Sequence, residues 1–177
     1  MVKTRSTTVL AVIRDGRGTM AGDGQVTMNE AIVKQGARKL HRLYNDKMLA
    51  GFAGAGADCL TLLERFEEKL NIYSGNLARS AVELAKTWRT DKVLRHLDAL
   101  LMVMNSSQIF LLSGRGDVIE PDEGIIAIGS GGNYALAAAR ALLRNTSLSS
   151  EDIARQAMHI AAEICVYTND RIVVESV

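Results

Sequence analysis

Two adjacent threonines, Thr7 and Thr8, open the first apolar run of this 177-residue chain. A threonine hydroxyl is a weak nucleophile unless a base stands beside it. A threonine at a chain N-terminus carries its own base. Its α-amine, with a reference pKa of about 7.7–8.0, is partly unprotonated near neutrality and can take the hydroxyl proton. Removal of residues 1–6 would place Thr7 in that position. The pair is also what the start of a strand looks like, since threonine is β-branched. Other catalytic and phosphate-binding signatures are missing. Gly54-Ala55-Gly56 and Gly129-Ser130-Gly131-Gly132 lack the lysine of a phosphate-cradling loop, and there is no H-E-x-x-H or G-x-S-x-G. The three histidines (His41, His96, His159) are scattered, none close in sequence to a nucleophile. Hydrolysis here is expected to work without the usual histidine base.

Composition narrows the classes. Hydrophobic residues make up 47% and charged residues 23%, enough apolar material for one good core. Lys plus Arg number 21 against 20 Asp plus Glu, a net charge of +1, which argues against a polyanion-binding surface. Cys59 and Cys165 have no paired spacing, so neither a zinc site nor a disulfide scaffold is expected, and both read as buried thiols in a reducing cytoplasm. The basic start Met1–Arg5 is followed by too short an apolar stretch, Val9–Ile13, for a signal peptide. Ala99–Met104 is far too short for a membrane span.

The elements that must position the threonine follow from period and punctuation. Thr8–Arg14 and the stretch from Thr19 read as a hairpin turned at Asp15-Gly16. A second pair runs Lys39–Leu43 and Lys47–Phe52. Leu60, Leu63, Phe66 and Leu70 then recur at helical spacing within 58–71, and a second helix is expected over 77–97. Strands return at 99–104, 108–112, 117–120 and 124–128, helices at 133–143 and 150–165, and a last strand at 171–177. Ser150-Glu151-Asp152 supplies a hydroxyl cap and two carboxylates to the final helix start. Grouped strands alternating with helix pairs imply two stacked sheets with a helix pair outside each, an α+β four-layer α-β-β-α sandwich forming one domain.

Seven runs occur together in order: Thr7–Val12, Ala21–Thr27, Arg38-Lys39, Leu43–Lys47, Ala50–Gly54, Ala127–Ala135 and Ile164–Asn169. The set resembles the HslV family, bacterial proteasome-like threonine peptidases, from Thr7 nearly to the C-terminus. The resemblance implies the N-terminal-nucleophile hydrolase fold. It implies Thr7 as nucleophile, Lys39 as the cation that depresses the amine pKa, and Asp23 as its partner. It further implies Gly51 as the oxyanion-hole N–H and Ser130 as a hydrogen-bond partner near the amine. A sodium ion held by backbone oxygens of Ala162, Cys165 and Thr168 is implied as well, with Ala162 standing where relatives often carry glycine. So are an HslU-type ATPase partner and two stacked six-membered rings enclosing the threonines. No nucleotide site is expected on this chain.

In departure from the family pattern, six residues, Met1–Ser6, precede Thr7, so a cut between Ser6 and Thr7 is expected, leaving 7–177 as the catalytic domain. A cut after Arg5 would instead make Ser6 the nucleophile. Strand alternation favours Thr7, because a one-residue shift turns the side chain to the opposite face. The rival reading is a catalytically silent ring subunit that keeps its leader. A third, nucleotide binding at the Gly129–Gly132 loop, predicts ATP affinity of the isolated chain.

Overall fold

The protein is described from a computed structural model, which covers residues 4, 5, 7–54, 56–92, 94–97 and 99–177. Strands β1 (Thr4–Arg5), β2 (Thr8–Arg14), β3 (Arg17–Gly22), β4 (Val26–Met28), β5 (Ala31–Lys34), β6 (Leu40–Leu43) and β7 (Met48–Gly54) come first. Helices α1 (Gly56–Ile72) and α2 (Leu77–Thr90) follow, then β8 (Ala99–Met104), β9 (Ile109–Ser113), β10 (Val118–Ile119) and β11 (Ile125–Gly129). Helices α3 (Gly132–Asn145) and α4 (Ser150–Ile164) precede the last strand, β12 (Val173–Ser176). One sheet has the order β11-β2-β3-β12 and the other β10-β9-β8-β7-β6.

Side-chain alternation makes the layers. Val9 and Ala11 of β2 face the opposing sheet with Met20, Leu49, Met102 and Ile128. Leu10 and Val12 turn the other way, onto Ile153, Ala157 and Met158 of α4. β2 is therefore buried on both faces and reads as an unbroken apolar run. β7 does the same: Leu49 points between the sheets, whereas Ala50 and Phe52 meet Phe66, Leu84 and Trp88 of the first helix pair. The four-layer sandwich expected from the strand and helix grouping is the observed one.

Three details differ from expectation. A third sheet, β1-β4-β5, stands beside the sandwich; its three strands are two to four residues long, too short to carry a period-2 signal. The second helix ends at Thr90, because Asp91 leaves the helix and its Oδ1 accepts the N–H of Leu94, starting a separate 3₁₀ turn over Leu94–His96. The last strand is shorter than expected, since Asn169 and Asp170 hold Arg171 and Ile172 in turns. Among the described residues no helix is long and apolar enough to cross a membrane.

Candidate active site

Thr7 lies at the mouth of β2, where the two sheets and the small third sheet meet. It is buried, and with Lys39, Val26, Ala37, His41, Phe52, Gly54 and Cys59 it lines a cavity of about 330 Å³. Its backbone carbonyl accepts the Ser130 N–H at 2.9 Å. The next residue is fastened twice: Thr8 N–H donates to Asp23 Oδ1 at 2.8 Å, and its hydroxyl accepts the Gly131 N–H and bonds to the Thr168 hydroxyl. Thr7 itself has φ = +152°, a region that costs a non-glycine residue about 1–3 kcal/mol. For a β-branched side chain it is a genuine outlier.

Asp23, wholly buried, is the hub. Its Oδ1 takes Lys39 Nζ at 2.6 Å as well as Thr8 N–H, and its Oδ2 takes the N–H groups of Gln25 and Asn169. All four bonds are donated to it, the acceptor-only pattern of a carboxylate. Lys39 also donates to the Gln25 carbonyl at 2.8 Å. Burial pushes the Lys39 pKa down, opposed by the charge and hydrogen bond of Asp23. Thus Asp23 and Lys39 do stand together beside Thr7. The arrangement can present a cation to an amine on Thr7 and hold it there, since both side chains of the pair are buried.

Ser130 reaches Thr7 through its backbone; its hydroxyl is exposed, in a cleft it shares with Tyr134, Cys165 and Tyr167. The Gly129–Gly132 loop is spent on the threonines. Ser130 N–H serves Thr7 and Gly131 N–H serves Thr8, so the loop is not free to cradle a phosphate as the nucleotide reading requires. Gly129 has φ = +91°, and a Cβ there would overlap the Thr7 carbonyl oxygen. Gly129→Ala is accordingly expected to cost about 2–4 kcal/mol, from strain plus clash, measured by urea unfolding.

Gly51 does not stand at the cavity. It lies inside β7, paired with Leu40 of β6 on one side and Met102 of β8 on the other. The place of its absent side chain faces Val9 and Met20 at 2.8 and 2.9 Å, between the sheets. A glycine is needed there for close sheet packing. The β6 ladder stops at Gly51, while β7 continues through Gly54 with partners on β8 alone, Phe52 to Leu101, Ala53 to Leu100 and Gly54 to Ala99. The open backbone edge is therefore Phe52–Gly54, and Gly54 is at the cavity wall. Of this run, Phe52 and Gly54 line the cavity with Thr7.

Two further groups share the cavity. His41 packs edge-on against Phe52, ring centroids 5.6 Å apart, and burial together with the nearby Arg38 charge lowers its pKa. Sequence distance had hidden this histidine from the threonine. Cys59 is no rival nucleophile: burial, aided by Asp58, pushes its thiol up to about 11, far from the thiolate form. Ser6 lies outside the described residues.

The last turn of α4 and the loop after it hold the three residues expected around a cation, Ala162 in the turn and Cys165 and Thr168 in the loop. Helix α4 ends at Ile164, so the Ala162 carbonyl lies beyond the last intrahelical bond, Cys165 N–H to Ala161. The Cys165 carbonyl accepts one bond, from Thr168 N–H, and keeps a second lone pair. Carbonyl oxygens suit a hard cation. The same loop is bound to the site: Thr168 to Thr8, Asn169 to Asp23, Gly24 and Gln35, and Val166 to Gln25. Thr8, Gln25, Gly54 and Asn169 were within recognised runs, yet nothing in their spacing marks them as partners.

Comparisons with known proteins show what the whole chain is similar to. The family model described as proteasome subunit matches residues 3–177. The ATP-dependent protease subunit HslV of Chlorobium luteolum is 57% identical over 173 residues, covering 98% of this chain and 95% of the relative. That of Treponema denticola is 57% identical over 175 residues, 99% and 98% of the two chains. The crystal structure of eukaryotic HslV from Trypanosoma brucei superposes with a TM-score of 0.91 at 44% identity, covering 96% of this chain and 98% of that one. Thiobacillus denitrificans BPH, 22% identical with a TM-score of 0.71 and 96% and 97% coverage, shares the fold.

Proposed function

The chain belongs to the proteasome family over nearly its whole length, and from that premise we propose that it is the peptidase subunit of a two-component ATP-dependent protease. The carrying observation is Thr7 buried in a cavity beside a Lys39–Asp23 pair, bracketed by Ser130. Exposed as an N-terminus, Thr7 passes its hydroxyl proton to its own α-amine and attacks a peptide carbonyl. The Phe52–Gly54 edge donates to the oxyanion. The ammonium returns the proton to the leaving amine, and water then hydrolyses the ester. Lys39 disfavours a second positive charge nearby and so keeps the amine in its base form.

Exposure of Thr7 requires the Ser6–Thr7 bond to be cut. Thr7 Oγ–H adds to the Ser6 carbonyl, the C–N bond breaks, and the proton goes to the departing nitrogen. Water splits the resulting ester into a Ser6 carboxylate and a free Thr7. Intact mass with N-terminal sequencing of the purified protein tests this, and a chain beginning at Thr7 is expected. A chain beginning at Ser6 would transfer the nucleophile, and one retaining the leader would favour the silent-subunit reading. That second reading has one observation in its support, the pairing of Thr4–Arg5 with β4 while the leader is attached.

The sequence lacks a nucleotide-binding lysine loop, so unfolding energy comes from a separate ATPase of the HslU type. Two stacked six-membered rings in the cytoplasm, with the threonines inside, complete the reading. A monovalent cation held by the carbonyls of Ala162, Cys165 and Thr168 would stiffen the loop that ties Thr168 to Thr8. Replacing sodium salts by a bulky organic cation is expected to lower peptidase activity reversibly and leave assembly intact.

A further inference from the structure

We infer that Asn169 is a positioning residue of the peptidase site: its side-chain amide locks the segment that carries Asp23 to the segment that carries Lys39, and so fixes where the Lys39 ammonium stands beside Thr7. The inference rests on the N-terminal-threonine reading and adds to it a residue that does not itself line the Thr7 cavity.

The approach to Lys39 has no ladder of its own. β5 ends at Lys34 and β6 starts at Leu40, so residues 35–39 lie in no strand. An ammonium on a flexible four-carbon stem is placed only as well as the backbone beneath it. That backbone is tied down from outside. Ala37 N–H donates to the Gly24 carbonyl at 2.9 Å, and the side-chain nitrogen of Asn169 donates to the Gln35 carbonyl at 3.0 Å. The side-chain oxygen of Asn169 accepts the Gly24 N–H, also at 3.0 Å, and its backbone N–H reaches Asp23 Oδ2 at 3.3 Å. One residue thus holds the carboxylate, the turn next to it and the start of the lysine segment. Gly24 and Gln35 meet there so closely that a Cβ on Gly24 would overlap the Gln35 carbonyl oxygen.

An amide suits this place. Its oxygen faces a donor and its nitrogen an acceptor, so the partners set its orientation. A carboxylate would turn an oxygen onto the Gln35 carbonyl and add a negative charge beside Asp23. The Asn169 oxygen also takes the Arg171 N–H at 3.3 Å, a turn within its own loop. The charged and titratable groups around the Thr7 cavity are Lys39, Arg38, His41 and Cys59, with Asp23 behind Lys39 and Asp58 beside Cys59. Of these, Asn169 is bonded to Asp23. Loss of the amide lets the Lys39 segment drift from Thr7. The cation then weighs less on the Thr7 amine, which holds its proton to higher pH.

The test is the pH profile of kcat/KM for peptide hydrolysis by the assembled protein, its Thr7 terminus verified by intact mass. Asn169→Ala is expected to move the acid limb to higher pH by about half a unit and to lower kcat about tenfold, with KM within about twofold, the scale of a lost hydrogen-bonded strut. Asn169→Ser keeps a hydroxyl for the Arg171 turn but is too short for Gly24 and Gln35, and is expected to match the alanine chain. Thr19→Val is the control for a merely structural loss. Opposite Val12 in β3, it gives up hydroxyl bonds to Ser150 and Ser176, and the limb should stay in place. An unmoved limb in Asn169→Ala would overturn the proposal. So would a serine chain that behaves as wild type, an equal shift in Thr19→Val, or failure of both Asn169 chains to assemble and expose Thr7, each of which would make the residue structural. A limb that vanished in His41→Gln would belong to the imidazole, and the proposal would fall with it. The premise is read separately, since an active Thr7→Ala chain would end the threonine mechanism whatever Asn169 does.

Discussion

Thr7→Ala is expected to lower peptidase turnover by at least about 10⁴-fold, because nothing replaces a covalent nucleophile and other active-site groups rescue little without it. The variant also keeps its leader, since the hydroxyl that cuts the Ser6–Thr7 bond is gone. Intact mass should therefore include residues 3–6 in the same sample that shows no activity. Fold and assembly should persist: β2 stays paired with β3 and β11, and Thr8 keeps its bonds to Asp23, Gly131 and Thr168. The midpoint of urea unfolding is expected within about 1 kcal/mol of wild type, as for substitutions that break no network. A wild-type level of activity would end the threonine mechanism, and loss of assembly together with activity would leave the silent-subunit reading standing. His41→Gln is the companion control, since the imidazole shares the cavity yet has no step in the mechanism; its activity should stay within a few-fold.

Asp23→Asn carries the second large effect, on both stability and rate. Four donors converge on that carboxylate, and an amide at the same place turns one acceptor into a donor aimed at N–H groups and an ammonium. Breaking a buried ion pair costs about 3–5 kcal/mol, chiefly from the charge left uncompensated, here Lys39. Unfolding by urea should shift by that amount, and activity should fall at least about 10³-fold because Thr8, and with it Thr7, loses its anchor. Lys39→Met should be milder in stability, about 1–3 kcal/mol, as three backbone N–H groups still satisfy Asp23. Its distinctive mark is in the pH profile. A neighbouring cation lowers an amine pKa, so removing it raises that pKa and moves the acid limb of activity to higher pH, by about one unit. An unmoved limb would show that Lys39 does not act on the amine.

Much of the architecture was legible because it is written in period. Leu60, Leu63, Phe66 and Leu70 recur at three and four, and the doubly buried β2 and β7 give unbroken apolar runs. The third sheet was not legible, since its strands are too short for a pattern and are held by Gln25, Lys39 and the leader rather than by their own apolar faces. The same limit explains Gly51. A resemblance conveys that a glycine in this run approaches closely, but not to what. The structure shows Val9 and Met20 against Gly51 between the sheets, and the β6 ladder ending there while β7 runs on to Gly54.

The sequence by itself determined the layered sandwich and the burial of both cysteines, because hydrophobic period is a local property of the chain, whereas Thr7, Asp23 and Lys39 were singled out by the resemblance of its runs to the family. The tertiary structure alone decided that Thr168 and Asn169 reach back across more than 140 residues to brace Thr8 and Asp23, that His41 enters the cavity, and that Thr7 is held at a strained φ between two anchored strands. Those are consequences of sheet pairing and loop closure, in which distant backbones set each other's positions, and no spacing within one segment records them.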